Sequence, residues 1–458
     1  MNPVLARATF SAASPQAIAA ELARLVNEGA IAPGERLPTV REVATELGVS
    51  PATVSAAWKA LSQAGLIVSR GRAGSFVREP RREGVTPRVH GMAQHPGSPR
   101  LDLSVGTPDA ALLPDMGAAF SRVSARAHTG SYHDSPVLPE LGALLAEQWP
   151  SRAEAITVTD GALDAVSRVL EQVVHFGDRV AVEDPGFPYF FDLIDALGAV
   201  AVPVAVDADG IVPSSLAHAL VSRPSAIVLQ PRAQNPTGAS MDRARAAELA
   251  RLVRASRDGH RIVIVEDDHS GLIAAAPPVT LATWLPAQTV HVRSFSKSHG
   301  PDLRIAALGG PSWLIDRVVA RRLLGPGWTS RALQSVLYDL LTDPVAVAVV
   351  DRARDTYRSR QLRLAEGLRR HGIQAPLADG VNITFPVAEE RPALVHLAAE
   401  GIAAAGGAPF RATLEAGGAT AAVSEVSAAA SGPFVRLTVG LIPDDAAWVA
   451  PAIARALR

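Results

Sequence analysis

The sequence predicts a multi-domain chain: a small helical head closed by a two-stranded hairpin, a linker, and a large α/β domain on a mostly parallel sheet. Three observations predict it. Apolar residues recur at helical spacing through residues 15–61, then short β-branched runs alternate with helix-like stretches beyond residue 100, the pattern of strands buried on both faces with helical crossovers. The charge is also divided: residues 1–100 carry a formal +5 and the rest −6, although the whole chain is at −1. A length of 458 residues exceeds one ordinary domain, so two or three are expected.

The head opens at Ser14-Pro15, where Ile18, Leu22, Leu25 and Val26 form one apolar helical face ending near Gly29. A second helix is predicted after Leu37-Pro38 with Thr39 as its cap, because Val40, Val43, Ala44 and Leu47 again share a face and Gly48 breaks it. The third starts with Ser50 at the cap and Pro51 at the first helical position, where a missing N–H costs nothing, and buries Val54, Trp58 and Leu61. Two short helices around a glycine turn match the helix-turn-helix, whose second helix presents its first residues, here Pro51, Ala52, Thr53 and Ser55, to the major groove. Leu66–Ser69 and Ser75–Val77 then flank Arg70-Gly71-Arg72-Ala73-Gly74, a hairpin with arginines at its tip that could enter a minor groove. The basic balance of this portion predicts a polyanion partner for the head alone.

Residues 79–100 lack periodic apolar spacing and are rich in Pro, Gly and Arg, which predicts a flexible or extended tether. The chain has no cysteine, which excludes disulfides, thiolate metal sites and cysteine nucleophiles, and no metal site is expected. Without a signal peptide's charged start and apolar stretch, or an apolar run long enough to span a bilayer, a cytoplasmic protein with no membrane role is expected.

In the large domain, strands are predicted at Arg179–Val182, Ala226–Leu229, Arg261–Val265 and Thr289–Val292. Polar clusters follow each: Glu183 to Phe187, Gln230 to Gly238, Glu266 to His269, and Ser294 to Lys297. Ligands of parallel sheets sit at these carboxyl ends.

Lys297 stands out for a compositional reason. Of 44 basic residues only two are lysines, Lys59 and Lys297. Arginine serves as well for a solvated charge, but its guanidinium stays protonated and cannot act as an amine nucleophile. A retained lysine is therefore a candidate for amine chemistry. Lys59 lies on the third helix, where a phosphate contact and a plain surface charge are equally open.

Residues 29–77, "GAIAPGERLPTVREVATELGVSPATVSAAWKALSQAGLIVSRGRAGSFV", resemble the winged helix-turn-helix of the GntR family of transcription regulators. "VEDPGFPYF", "QPRAQNPTG", "VEDDHSG" and "SFSKSHGPDLRIA" follow in the order and spacing of fold-type I aminotransferases. The whole resembles the MocR subgroup of GntR regulators, a winged-helix head fused to an aminotransferase-like domain that binds pyridoxal 5'-phosphate. The resemblance implies a winged helix-turn-helix at 1–78, a linker at 79–100, and an aminotransferase-like domain for cofactor binding, effector sensing and dimerisation at 101–458, with a smaller α+β subdomain at its carboxyl end. In the head it implies DNA contacts from Arg41, Ser50, Thr53, Arg70 and the backbone at Gly71 and Gly74. Pro51 stands where many members carry an arginine.

In the large domain the resemblance implies an aldimine at Lys297, and Asp267 on the pyridinium nitrogen with Asp268 as the alternative. Asn235 is implied at the ring hydroxyl and Phe187 on the ring face. The amides of Gly161 and Ala162 with Ser294 and Arg304 are implied at the phosphate, which Tyr132 reaches from the partner subunit of a homodimer. Arg436 is implied to grip an effector's carboxylate. Three departures accompany it: His269 where a tyrosine usually supports the ring oxygen, Asp160 where a small hydroxyl or glycine usually faces the phosphate, and Val137 for a common glycine. Asp160 is left three options: turning away, capping the next helix, or displacing the cofactor. The function expected is a DNA-binding regulator that senses pyridoxal phosphate, an amine or an amino acid, without turnover. The alternatives are a working aminotransferase with an accessory head, and a regulator whose large domain is only a dimerisation scaffold.

Overall fold

The first helix, α1 (Pro15–Asn27), buries Ile18, Leu22 and Leu25 as its spacing predicts. In this computed structural model the residues described are 13–27, 30–32, 34–63, 67–69, 74–77, 88, 99–124, 131–376, 378–412 and 432–457. They form two compact units, the first holding residues 1–85 and the second nearly all of the rest.

In the first unit α2 (Val40–Leu47) opens in a capping box: Thr39 Oγ1 accepts from the Glu42 N–H at 3.3 Å while the Glu42 carboxylate accepts from the Thr39 N–H at 2.6 Å. Gly48 ends the helix at φ 64° with no atom near where a side chain would begin. Gly48→Ala therefore meets only backbone strain, and a loss of about 1 kcal/mol in the head's unfolding free energy is expected by thermal or denaturant melting. Helix α3 (Pro51–Gln63) starts with Ser50 Oγ accepting from the Thr53 N–H at 3.1 Å. Strands β1 (Ile67–Ser69) and β2 (Ser75–Val77) pair antiparallel with Ile67 opposite Val77, and residues 35–37 bond the other edge of β2. Val43, Val54, Trp58, Leu61, Ile67 and Val77 join the α1 face in one core. Each large apolar side chain buried there contributes about 1.5–3 kcal/mol, the main force holding so small a unit together.

The second unit is built on an eight-stranded sheet. After β3 (Leu101–Asp102), described below, its strands are β4 (Ala155–Thr159), β5 (Arg179–Asp184), β6 (Val200–Asp207), β7 (Gly210–Ile211), β8 (Ala226–Leu229), β9 (Val263–Asp268), β10 (Thr289–Ser294) and β11 (Ala306–Gly310). The spatial order is β4-β11-β10-β9-β8-β5-β6-β7. Strands β5, β8, β9 and β10 are mutually parallel, and β11 runs antiparallel to both β10 and β4. Every residue of β8, β9 and β10 is buried; β8 and the first half of β9 read as apolar runs, whereas β10 buries Thr289, His291, Arg293 and Ser294 among its valines. The third predicted strand begins two residues late and runs on through Asp268, and Thr289–Val292 extends to Ser294. The carboxyl ends of β4, β5, β8, β9 and β10 thus lie along one edge.

A smaller antiparallel sheet forms the carboxyl part: β12 (Ile383–Pro386), β15 (Phe434–Leu437) and β14 (Ala405–Gly406), in that order. It shares a core with helices Glu390–Ala399 and Val449–Ala456 and with Leu364 and Leu368 of the long helix Pro344–Arg370. Strand β13 (Ile402–Ala403) pairs in parallel with β3, so the first residues of the large unit are tied to this late part. No single helix among the described residues is long and apolar enough to cross a membrane.

Candidate cofactor site

Lys297 follows β10 and points its amine at the backbone carbonyl of Gly106. Burial, with the Arg436 guanidinium adding to it, pushes the amine down to about 8; Asp267 opposes only partly. The uncharged form, which can attack an aldehyde, is thus far more populated near neutral pH than for an ordinary lysine, though still the minority.

Asp267 and Asp268 end the same strand, and a strand's alternation sends them to different surroundings. Asp268 is consumed: burial would raise it, but Arg232 Nη2 at 2.6 Å holds it far below the ordinary carboxylate range, with His291 3.7 Å away. Asp267 keeps one oxygen free. Its Oδ2 accepts from Gln230 Nε2 at 2.8 Å, while Oδ1 is buried with no hydrogen-bond partner among the described residues. Burial, reinforced by the Asp268 charge, pushes Asp267 up to about 7. A buried, unpartnered carboxylate oxygen is costly unless a cationic or N–H donor completes it. Between the two acids left open by the sequence, the geometry favours Asp267 as a partner for a ring nitrogen.

Gln230 also accepts from the Asn235 N–H at 2.8 Å, so one amide orients the acid and the asparagine together. Asn235 Oδ1 lies 3.4 Å from Arg436 Nη1 and 3.5 Å from Asn382 Nδ2. Arg436 is 1% exposed, donates to the Ser104 carbonyl and lies over the Phe410 ring at 5.1 Å. Burial pushes it down to about 10, opposed by the more distant Asp102 charge, and no carboxylate among the described residues lies within ion-pair distance of it. That removes its simplest structural role, as an ion-pair member. Gly106 (φ 66°) joins the two cations: its carbonyl takes the lysine, and a Cβ on it would lie 2.9 Å from Arg436 Nη1.

The helix Ala162–Val173 begins behind Gly161 (φ 105°), where a Cβ would meet Arg304 Nη2 at 2.7 Å. Free amides of a helix start beside an exposed arginine form a cradle for an anion. Ser294, buried at the end of β10, accepts from the Ser296 N–H at 3.3 Å. Phe187 is half-buried beside Tyr189 and Phe190, ring centroids 5.2 and 5.3 Å away. An acid with a free oxygen, a depressed lysine and an anion cradle at one sheet edge fit a phosphorylated pyridine aldehyde.

Residues 98–421 match the family model for class I and II aminotransferases, and residues 15–77 that for bacterial regulatory proteins of the gntR family. The vitamin B6 salvage pathway transcriptional repressor PtsJ of Salmonella typhimurium is 38% identical over 369 residues, 78% of this chain and 82% of that protein. The chain belongs to the MocR subgroup of GntR regulators. The pyridoxine biosynthesis transcriptional regulator PdxR of Corynebacterium glutamicum is 26% identical over 80% of the chain and 79% of its own length. The fold is that of the Thermus thermophilus aspartate aminotransferase, with a TM-score of 0.65 at 22% identity over 82% of this chain and all of that one.

Two of the departures and one matched position take definite places in this MocR-type chain. His269 Nε2 meets the Ala233 carbonyl at 2.7 Å, so that nitrogen donates and Nδ1 is left an acceptor; burial and then Lys297 push the ring down to about 4, and it is neutral. A tyrosine would offer a donor in its place. Asp160 turns its carboxylate to Arg322 and Thr329 and does not cap the helix. Tyr132 is 87% exposed and among the described residues meets only the edge of Trp328, at 6.1 Å, not the lysine cluster. In the head of this MocR-type regulator Arg41 is exposed, Ser50 and Thr53 share a 2.8 Å hydroxyl contact, and Gly74 (φ 105°) lies against Arg36. Arg70 and Gly71 lie outside the described residues. Gln230, Gly106, Arg232 and Arg322 were not anticipated as site residues; Gln230 and Arg232 stood within a polar cluster that marked the place but not the roles.

Proposed function

We propose that this regulator binds an operator in double-stranded DNA through its head and reports pyridoxal 5'-phosphate, or an amine or amino acid arriving beside it, through Lys297. The observation that carries the reading is the free Oδ1 of Asp267 next to a lysine whose charge is suppressed. Bound there, pyridoxal phosphate would supply an aldehyde for an amine and a ring that withdraws electrons when its nitrogen is protonated. Asp267 Oδ1 would accept from that nitrogen, and a cation beside it returns the acid to its ionised form. The Gly161 and Ala162 amides, Ser294 and Arg304 would hold the phosphate, Phe187 would lie against the ring, and Asn235 and His269 would meet its hydroxyl. Arg436 has the fork geometry for a carboxylate-bearing effector. We place Tyr132 at the phosphate of the partner subunit in a homodimer, and the protein in the cytoplasm.

DNA contacts fall to Arg41, Ser50, Thr53 and Gly74, with Arg70 and Gly71 at the wing. Coupling requires that the ligand bind two states of the protein unequally. The test is one titration of the purified chain with pyridoxal phosphate, reading both near-ultraviolet absorbance and affinity for the DNA upstream of its own gene. No absorbance change sinks the cofactor reading, and an unchanged DNA affinity leaves the large domain a scaffold. Sustained conversion of an amino acid in the presence of a keto acid, lost in Lys297→Ala, would make the chain an aminotransferase.

A pH profile follows from the lysine. Capture of the aldehyde needs the uncharged amine, and burial brings Lys297 down to about 8. The stopped-flow rate of cofactor capture is therefore expected to rise with pH through about 8 and then level. A rate still climbing near the ordinary lysine range, about 10.4, would contradict the burial argument.

A further inference from the structure

Asp160 follows β4 directly and precedes the Gly161 and Ala162 amides of the anion cradle. Its carboxylate is fully engaged: Arg322 Nη2 donates to Oδ2 at 2.9 Å and Thr329 Oγ1 donates to Oδ1 at 2.7 Å. Arg322 is 2% exposed, bonds the Val158 carbonyl and reaches Thr329 Oγ1 at 3.1 Å. A second acid, Asp164 in the first helical turn, accepts from the Asp160 N–H at 3.2 Å and pairs with Arg168 at 2.8 Å. Of the three arginines around this loop, Arg322 and Arg168 are each matched by a carboxylate. Arg304 alone has no carboxylate partner among the described residues, touching only the Asp160 carbonyl at 3.3 Å.

An arriving phosphate dianion therefore meets one uncompensated positive charge, Arg304, although three arginines stand around the loop. We propose that Asp160 is a specificity-determining residue of the site, which weakens the hold on the phosphate end so that the cofactor is a dissociable ligand and its concentration can be sensed. This deepens the reading above and rests on it. The acid is tolerated because Arg322 and Thr329 fix it in one place; it acts through its charge, from a side chain 43% exposed. Solvent screening keeps the effect modest, and added salt shrinks it. The ring and aldehyde end is untouched, so pyridoxal, which lacks the phosphate, is indifferent to it.

The experiment compares the full-length chain with Asp160→Asn and with Asp160→Asn combined with Arg322→Gln, titrating each with pyridoxal phosphate and with pyridoxal at low and high salt. Binding is read by absorbance and by intrinsic fluorescence, and folding by thermal melting. Asp160→Asn keeps the shape and is expected to bind pyridoxal phosphate about three- to tenfold more tightly at low salt, with pyridoxal unchanged. The double variant restores the native net charge and is expected to return near the native affinity; it also removes the buried unpaired arginine that could unfold the single variant. Equal pyridoxal phosphate affinity in the native chain and Asp160→Asn overturns the inference while leaving the cofactor reading intact, as does equal tightening for pyridoxal. Absence of pyridoxal phosphate binding in all three folded proteins overturns both.

Discussion

Lys297→Arg is expected to abolish the cofactor-dependent absorbance change and the DNA response together, as completely as Lys297→Ala. Arginine preserves the positive charge but not the amine, so a purely electrostatic role would survive the substitution and amine chemistry would not. The contrast matters in a chain that has put arginine at 42 of its 44 basic positions. Neither loss is expected to come from unfolding. Lys297 is a half-buried lysine whose charged form burial already disfavours, and removing such a group also removes its desolvation cost. Melting of Lys297→Ala is therefore expected close to that of the native chain. An absorbance change retained in Lys297→Arg would move the chemistry elsewhere.

Arg232→Ala is expected to cost about 3–5 kcal/mol of stability, the largest effect of any single substitution considered, because it strands a buried carboxylate. Arg232 gives Asp268 a 2.6 Å ion pair and also donates to the carbonyls of Ala276, at 2.8 Å, and Gly271, at 2.9 Å. His291 is a weaker second partner at 3.7 Å, held by Glu266 at 2.9 Å on its other side, which places the cost toward the lower end. Denaturant melting reads the loss directly. Arg232→Lys keeps a charge but not the fork and is expected to fall between. Asp268 sits below its unfolded value in the native fold, so its stabilisation is present above the ordinary carboxylate range and is lost as pH falls. The native chain should therefore lose stability in acid more steeply than Arg232→Ala does. Parallel acid profiles for the two proteins would refute the ion-pair account.

Much of the head was legible because its rules are local. Helical spacing gave α1 through α3, and the caps at Thr39 and Ser50 and the stop at Gly48 are properties of a few adjacent residues. Glu42, the reciprocal half of the capping box, had the right spacing and was overlooked. In the large domain the strand cores were legible for a different reason: burial on both faces leaves short apolar, β-branched-rich stretches, unbroken in β8 and the first half of β9 and spaced by polar residues in β10. Their ends were less so, because Glu266 and Asp267 are charged residues inside a strand, which local propensity disfavours and buried hydrogen bonds permit. The pairing of β3 with β13 spans some 300 residues and left no local trace.

By itself the sequence determined which chemistry was available. A lysine kept among arginines, two adjacent acids at a strand's end, and an arginine seven residues past the lysine specified an amine, an acid and an anion site. Only the tertiary structure decided which of these groups is free to act. Asp267 and Asp268 are neighbours of one type, yet one is spent on Arg232 and the other holds an open oxygen. Asp160 faced three possible roles until Arg322 and Thr329, more than 160 residues away, fixed its carboxylate. The physical reason is the same in both cases. A residue's type fixes what it can donate or accept, whereas its availability depends on burial and on partners that the chain brings from far along the sequence.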